Sequence, residues 1–181
     1  MTQLNLDQLK YPIGKFVISD RVSDAEIKTW ISDIERLPQS LESIVENLYL
    51  EDLNLPYRPG GWTIKQVIHH LSDSHMNAII RFKLSLTEDS PVIKPYMEDQ
   101  WATLEDGMSD DITDSLGLLK HLHAKWVKLL QALTEEDLKR SYIHPEHGKR
   151  FLLSEAMGMY AWHGNHHLAH VKQALEYKGS F

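Results

Sequence analysis

Met159-Tyr160-Ala161-Trp162-His163-Gly164-Asn165-His166-His167-Leu168-Ala169-His170 holds four of the chain's eleven histidines and no proline, in a helical composition. At about 100° per residue, Met157, Ala161, Gly164, Leu168, Val171 and Leu175 form the centre of an apolar stripe. A helix so patterned needs other helices to cover it, and the rest of the chain supplies them. His163 and His167 fall on one flank of the stripe, one turn apart, so both imidazoles can face one ion. His170 lies near that flank, farther from the core centre, as a residue supporting the ligands. His166 points almost directly away and reads as surface. The mid-sequence position and the apolar residues between the histidines argue against a purification tag; a surface cluster is the alternative to metal binding.

Upstream, three further amphipathic segments can be read. Ser23 or Asp24 caps a first helix with apolar positions Ile27, Trp30/Ile31, Ile34, Leu37, Leu41, Ile44/Val45 and Leu48. Pro38 inside this pattern predicts a kink or a break. After a loop marked by Pro56, Pro59, Gly60 and Gly61, Thr63 and Gln66 match a capping box. The second helix then runs to about Thr87 on the stripe Ile64, Ile68, Leu71, His75, Ala78/Ile79, Phe82 and Leu86. Residues 88–112 show only a short turn around Met97–Leu104. A third helix covers Asp114–Leu133, with Leu116, Leu119, Leu122/His123, Trp126, Leu129/Leu130 and Leu133 inward. Thr134 caps a helical turn, and Ser141–Leu153 reads as a small hairpin around Pro145-Glu146-His147-Gly148. Ser154 is the expected cap of the fourth helix, which ends near Tyr177 and Gly179. Before the first helix, Tyr11-Pro12-Ile13 and Phe16-Val17-Ile18 read as an extended strip on the core.

Four amphipathic helices in one domain, residues 1–181, make an all-α four-helix bundle. The connector between helices two and three is long enough to cross the bundle, so those helices can run parallel. On helix two, His70 takes the same flank position as His163 does on its own helix. His75 sits mid-stripe, as a neutral core histidine, while His69 and Asp73 share an outward face. One histidine from helix two and two from helix four make a three-histidine set with an open position, the arrangement of a catalytic zinc site.

Composition limits the alternatives. A net charge of −7 without a basic block argues against nucleic acid and against an anionic membrane surface. The absence of cysteine removes disulfides, thiolate ligands and a cysteine nucleophile together, and fits a reducing cytosol. The N-terminus has no signal-peptide pattern, and no stretch approaches a bilayer span. A cytoplasmic protein acting on a small molecule is the expectation.

Gly61-Trp62-Thr63, Val67 and His70-Leu71, with Trp162-His163 and His167-Leu168-Ala169-His170 far downstream, resemble the DinB-like superfamily. The fuller run GGWTIKQVIHHLSDSHMN followed by RFKLSL is similar to its YfiT-type subgroup of metal-dependent hydrolases. The resemblance implies up-down-down-up topology, a homodimer and one divalent ion per subunit, zinc before nickel. It implies His70, His163 and His167 as the ligands. An ion so held would activate water for attack on a carbonyl or phosphoryl centre. The related thiol transferases imply an alternative, in which bacillithiol or a similar low-molecular-weight thiol binds the open position and is transferred. A non-catalytic, metal-stabilised dimer is the third reading. The zincin pattern H-E-x-x-H carries a base after its first histidine, and Gly164 stands at that place here. No general base is therefore assigned. Glu155 lies about two turns before His163. His75, Asn77, Arg81 and His123 are candidates for contacts around the metal or substrate. Trp62, Trp101, Trp126 and Trp162 are read first as packing residues and second as pocket walls.

Overall fold

The computed structural model describes residues 5–18, 21–146 and 148–181. In chain order its first elements are α1 (Leu6–Lys10), α2 (Asp24–Val45), α3 (Leu50–Leu53) and α4 (Ile64–Thr87). There follow α5 (Glu98–Trp101), α6 (Thr113–Gln131), α7 (Glu135–Leu138), β1 (Ser141–His144), β2 (Lys149–Leu152) and α8 (Leu153–Tyr177). The long helices α2, α4, α6 and α8 are the four expected ones.

The starts of α2 and α4 follow from capping chemistry. Ser23 N–H donates to Glu26 Oε2 at 2.8 Å, and Glu26 N–H returns to Ser23 Oγ at 3.3 Å. Thr63 and Gln66 repeat the exchange at 3.0 and 3.5 Å, so orphan N–H groups of each first turn are satisfied. Ser154 is not the cap of α8. The N-cap is Leu152, two residues earlier, and Glu155 reaches back to accept from Leu152 N–H at 3.0 Å. Its carboxylate is engaged there, remote from the histidines.

Pro38 does not break α2, which continues through it. Proline lacks the N–H that would bond the carbonyl of Ile34. That carbonyl instead accepts from His123 Nδ1 of α6, at 2.5 Å.

Cross-helix contacts give the topology. Phe82 and Trp126 meet at 5.5 Å between ring centroids and His75 meets His123 at 4.9 Å, so α4 and α6 run parallel. Arg81 meets Tyr160 while His70 meets His163, so α8 runs against α4. Gly158 lies against Trp30 and Gly164 against Leu37, so α8 runs with α2. The order is up-down-down-up. In projection α2 touches α6 and α8, and α4 touches the same pair. The connector 88–112 makes the crossover possible and docks on the hairpin, where Ile93 N–H donates to Ile143 O and Ile143 N–H to Pro91 O. β1 and β2 pair antiparallel, Ser141 opposite Leu152 and His144 opposite Lys149. His147, assigned above to the hairpin turn, lies outside the described residues.

The core divides along the bundle axis. One cluster gathers Ile34, Phe82, Trp126, Leu130, Leu153 and Met157. The other gathers Leu41, Ile68, Leu71, Leu119, Val171 and Ala174. Each fully buried Leu or Phe contributes about 1.5–3 kcal/mol relative to exposure. Between the clusters lies a level of histidines. A polar layer there survives only if its ring nitrogens find partners.

The N-terminal strip corrects one expectation. Leu9 of α1 is buried, but Tyr11, Ile13 and Val17 are exposed. The segment runs over α8, with Trp162 Nε1 donating to Gly14 O at 3.1 Å and Phe16 beside the indole. Among the described residues, no helix is long and apolar enough to cross a membrane.

Candidate metal centre

His70 of α4 and His163 and His167 of α8 come together at the mid-bundle level, with one nitrogen of each within 4.8 Å of the others. The helical spacing of 163 and 167 sets their rings edge to face at 4.5 Å between centroids, and His70 faces both. Gly164, between the two, packs closely on α2: a Cβ there would stand 2.6 Å from Leu37 Cδ2 and would force that side chain to shift. The position where a zincin carries its base therefore points at α2, away from the histidines.

Burial holds the His70 imidazole down at about 4 and pushes His163 and His167 well below their ordinary range. Neutral imidazole is the ligand form. His70 Nε2 and His163 Nε2 stand 3.3 Å apart. Two nitrogens on a tetrahedral zinc, at about 2.0–2.1 Å each, would be separated by about 3.3–3.4 Å. The donor set and its spacing fit a divalent ion.

Which ring nitrogen of His163 and His167 would face an ion is decided by two chains of hydrogen bonds, each ending on a backbone carbonyl that can only accept. In the first, His123 Nδ1 must donate to Ile34 O, leaving its Nε2 as acceptor. His75 Nδ1, at 2.7 Å, donates to that nitrogen, and His75 Nε2 in turn accepts from His163 Nδ1 at 3.2 Å. The lone pair of His163 Nε2 is thereby directed to the site. In the second chain, His170 Nε2 donates to Lys10 O at 3.2 Å. His170 Nδ1 then accepts from His167 Nδ1 at 3.4 Å, which frees His167 Nε2. Metal-ligating histidines commonly give their second N–H to a carboxylate or carbonyl; here other histidines intervene. His75, named above as a neutral core residue and as a supporting one, is both.

Two outward assignments are corrected. His69 is buried, with Nδ1 2.8 Å from Ser115 Oγ and Nε2 3.0 Å from Ser109 O. The crossover segment and the start of α6 cover that face of α4. Asp73 shares the enclosure, and burial with the nearby Asp106 raises its carboxyl to about 6. His166 is also buried, stacked on Trp162 at 4.5 Å between centroids with Tyr11 across it. The N-terminal segment closes over it. Asn77 turns to its own helix, donating to Asp73 O at 2.9 Å.

A cavity of about 530 Å³ opens on the three histidines, between Trp62, Arg58, Glu98, Asp99 and Trp162. Trp62 stands 4.7 Å from the His70 ring, centroid to centroid, as a wall of this cavity. Trp126 is core, and Trp101 packs on Tyr96. Glu98 and Asp99, on the four-residue α5 of the crossover, are the carboxylates that sequence periodicity did not reveal. Desolvation raises Glu98, against the pull of Arg81.

The DinB superfamily profile matches residues 33–171. The chain is 44% identical over 173 residues to YfiT of Bacillus subtilis strain 168, covering 96% of each chain. It is 48% identical over 166 residues to a protein of Bacillus cereus strain 03BB102, provisionally named a metal-dependent hydrolase, covering 92% of this chain and 95% of that one. The solved structure of YfiT, described as a probable metal-dependent hydrolase with an unusual four-helix bundle topology, superposes with a TM-score of 0.91 at 43% identity. That match covers 96% of this chain and 99% of the other. With this fold, these paired histidine motifs and these relatives, the chain belongs to the DinB superfamily.

Proposed function

We propose that this protein is a metal-dependent hydrolase in which His70, His163 and His167 hold one divalent ion, zinc before nickel. The observation that carries the reading is the convergence of three neutral imidazoles on the floor of an accessible cavity, with protein ligands on one side only. Such an ion supplies Lewis acidity and an acidified water when bound. The chain's own residues do the remainder. The two carbonyl-terminated histidine chains keep His163 and His167 from rotating or changing tautomer. Trp62 and Trp162 wall the cavity and displace bulk water beside the histidines. Glu98, a carboxylate on the cavity wall raised by desolvation, is the proton acceptor of the proposal.

The test is a panel of carboxylic esters and amides, assayed with chelator-stripped protein and with zinc or nickel restored stoichiometrically. Hydrolysis that returns with one equivalent of metal, and falls by about 10²–10⁴-fold in Glu98→Gln, supports the proposal. Full activity in the stripped protein would end it. Metal-dependent conjugation of a low-molecular-weight thiol, without hydrolysis, would replace it by the transferase alternative.

A further inference from the structure

The cavity over the histidines does not end at His163. A second cavity of about 250 Å³ shares His163 and Glu98 with it and extends between α4, the hairpin and α8. Apart from the Glu98 carboxylate, its polar wall is made of hydroxyls, imidazoles and one guanidinium, all able to donate. Arg81 Nη1 donates to Tyr160 Oη at 2.9 Å, while Arg81 Nε is buried without a hydrogen-bond partner. Among the described residues, no carboxylate lies within ion-pair distance of this guanidinium. Tyr96 and Tyr142 also line the space, and burial pushes both phenols up, so they remain protonated. Phe151 and Met159 complete the wall with apolar surface.

Arg81 is half-buried, its Nε has no partner and its only carboxylate neighbour in the cavity, Glu98, is not in ion-pair contact with it, so an anion that reaches the guanidinium gains a charge-assisted hydrogen bond. The planar fork of the guanidinium matches a carboxylate bidentately. The volume is below that of a whole small-molecule site, roughly 300–1,000 Å³, so the cavity suits one end of a ligand whose other end reaches the histidines.

We propose that this cavity is a carboxylate subsite: Arg81, with the Tyr96 and Tyr142 hydroxyls, takes the carboxylate of a substrate joined through a small apolar or aromatic stem to the bond at the metal centre. The placement of the reacting bond rests on the hydrolase reading above. The subsite itself does not, since Arg81 is not a candidate ligand. The substrate class is therefore an ester or amide that also carries a free carboxylate.

Calorimetric titration with benzoate and phenylacetate, against the neutral isosteres benzamide and phenylacetamide, tests the subsite without turnover. The metal-free protein should bind the carboxylates at least about tenfold more tightly than the amides, as expected for a charge-assisted pair. Arg81→Met should weaken the carboxylates by about 10- to 100-fold and leave the amides unchanged, with Arg81→Lys intermediate. His70→Ala should leave benzoate binding intact. Equal affinity for acid and amide, or benzoate binding that survives Arg81→Met, overturns the subsite. Benzoate that binds only the zinc-loaded protein also overturns it, because the anion would then sit on the metal; the hydrolase reading would stand. Arg81-dependent binding with no hydrolysis of any carboxylate-bearing ester or amide would keep the subsite and end the hydrolase reading.

Discussion

Replacing His123 with phenylalanine keeps a ring of similar breadth in the core but cuts the first histidine chain at its midpoint. Two buried groups lose their partners: Ile34 O, left without a helical donor by Pro38, and His75 Nδ1–H. Each unsatisfied group costs about 1–3 kcal/mol, so a loss of about 2–6 kcal/mol in stability is expected. The effect on the metal centre is separate. With no acceptor at Nδ1, His75 shifts its proton to Nε2, where it meets His163 Nδ1–H donor to donor across 3.2 Å. His163 answers by moving its own proton to Nε2, which blocks the lone pair meant for the ion. Loss of an outer partner typically weakens metal binding about 10- to 100-fold, or about 1.4–2.7 kcal/mol. The assay is zinc competition against a chromophoric chelator, beside ¹⁵N spectra that report the histidine tautomers. His123→Gln is the control: its amide oxygen can accept from His75 and its NH₂ can donate to Ile34 O, so both readouts should return most of the way. A folded His123→Phe protein with wild-type zinc affinity and an unchanged Nδ1–H tautomer at His163 would refute the reasoning.

Three further outcomes are expected. His70→Ala, His163→Ala and His167→Ala should each abolish stoichiometric zinc binding as measured by metal analysis of untagged protein, whereas His69→Ala should not. The metal-free protein should lose stability as pH falls from about 6.5 toward 4. His70 and His123 are held at about 4 by burial, so the unfolded chain binds more protons across that window and acid favours it. For His123 alone this amounts to about 3 kcal/mol, and urea midpoints that stay flat over the range would contradict the burial. Gly158→Ala should cost about 1–3 kcal/mol by overpacking, because the new Cβ would stand 2.8–3.0 Å from three atoms of the Trp30 ring; an unchanged melting temperature would show that α2 and α8 can separate freely.

Fold class and the convergence of three histidines could be reached from one dimension because both rest on local periodicity. A 3.6-residue repeat places Ile64, Ile68, Leu71 and Phe82 on one stripe, and the same geometry puts His70, His163 and His167 on stripe flanks that must meet when four helices pack. Capping at Ser23 and Thr63 is likewise chemistry within four residues. Three features depended on chain segments brought in from elsewhere. His69 and His166 point outward on isolated helices, yet the crossover buries the first and the N-terminal segment the second. Glu98 and Asp99 sit on a four-residue helix with no period to read, and only the path of residues 88–112 sets them beside the metal centre. The roles of His75, His123 and His170 also needed the tertiary structure, since a tautomer is determined by what lies across the gap. In both chains that is a backbone carbonyl distant in sequence, at Ile34 and at Lys10. Helical periodicity determines which face a side chain occupies; only packing determines what it meets there.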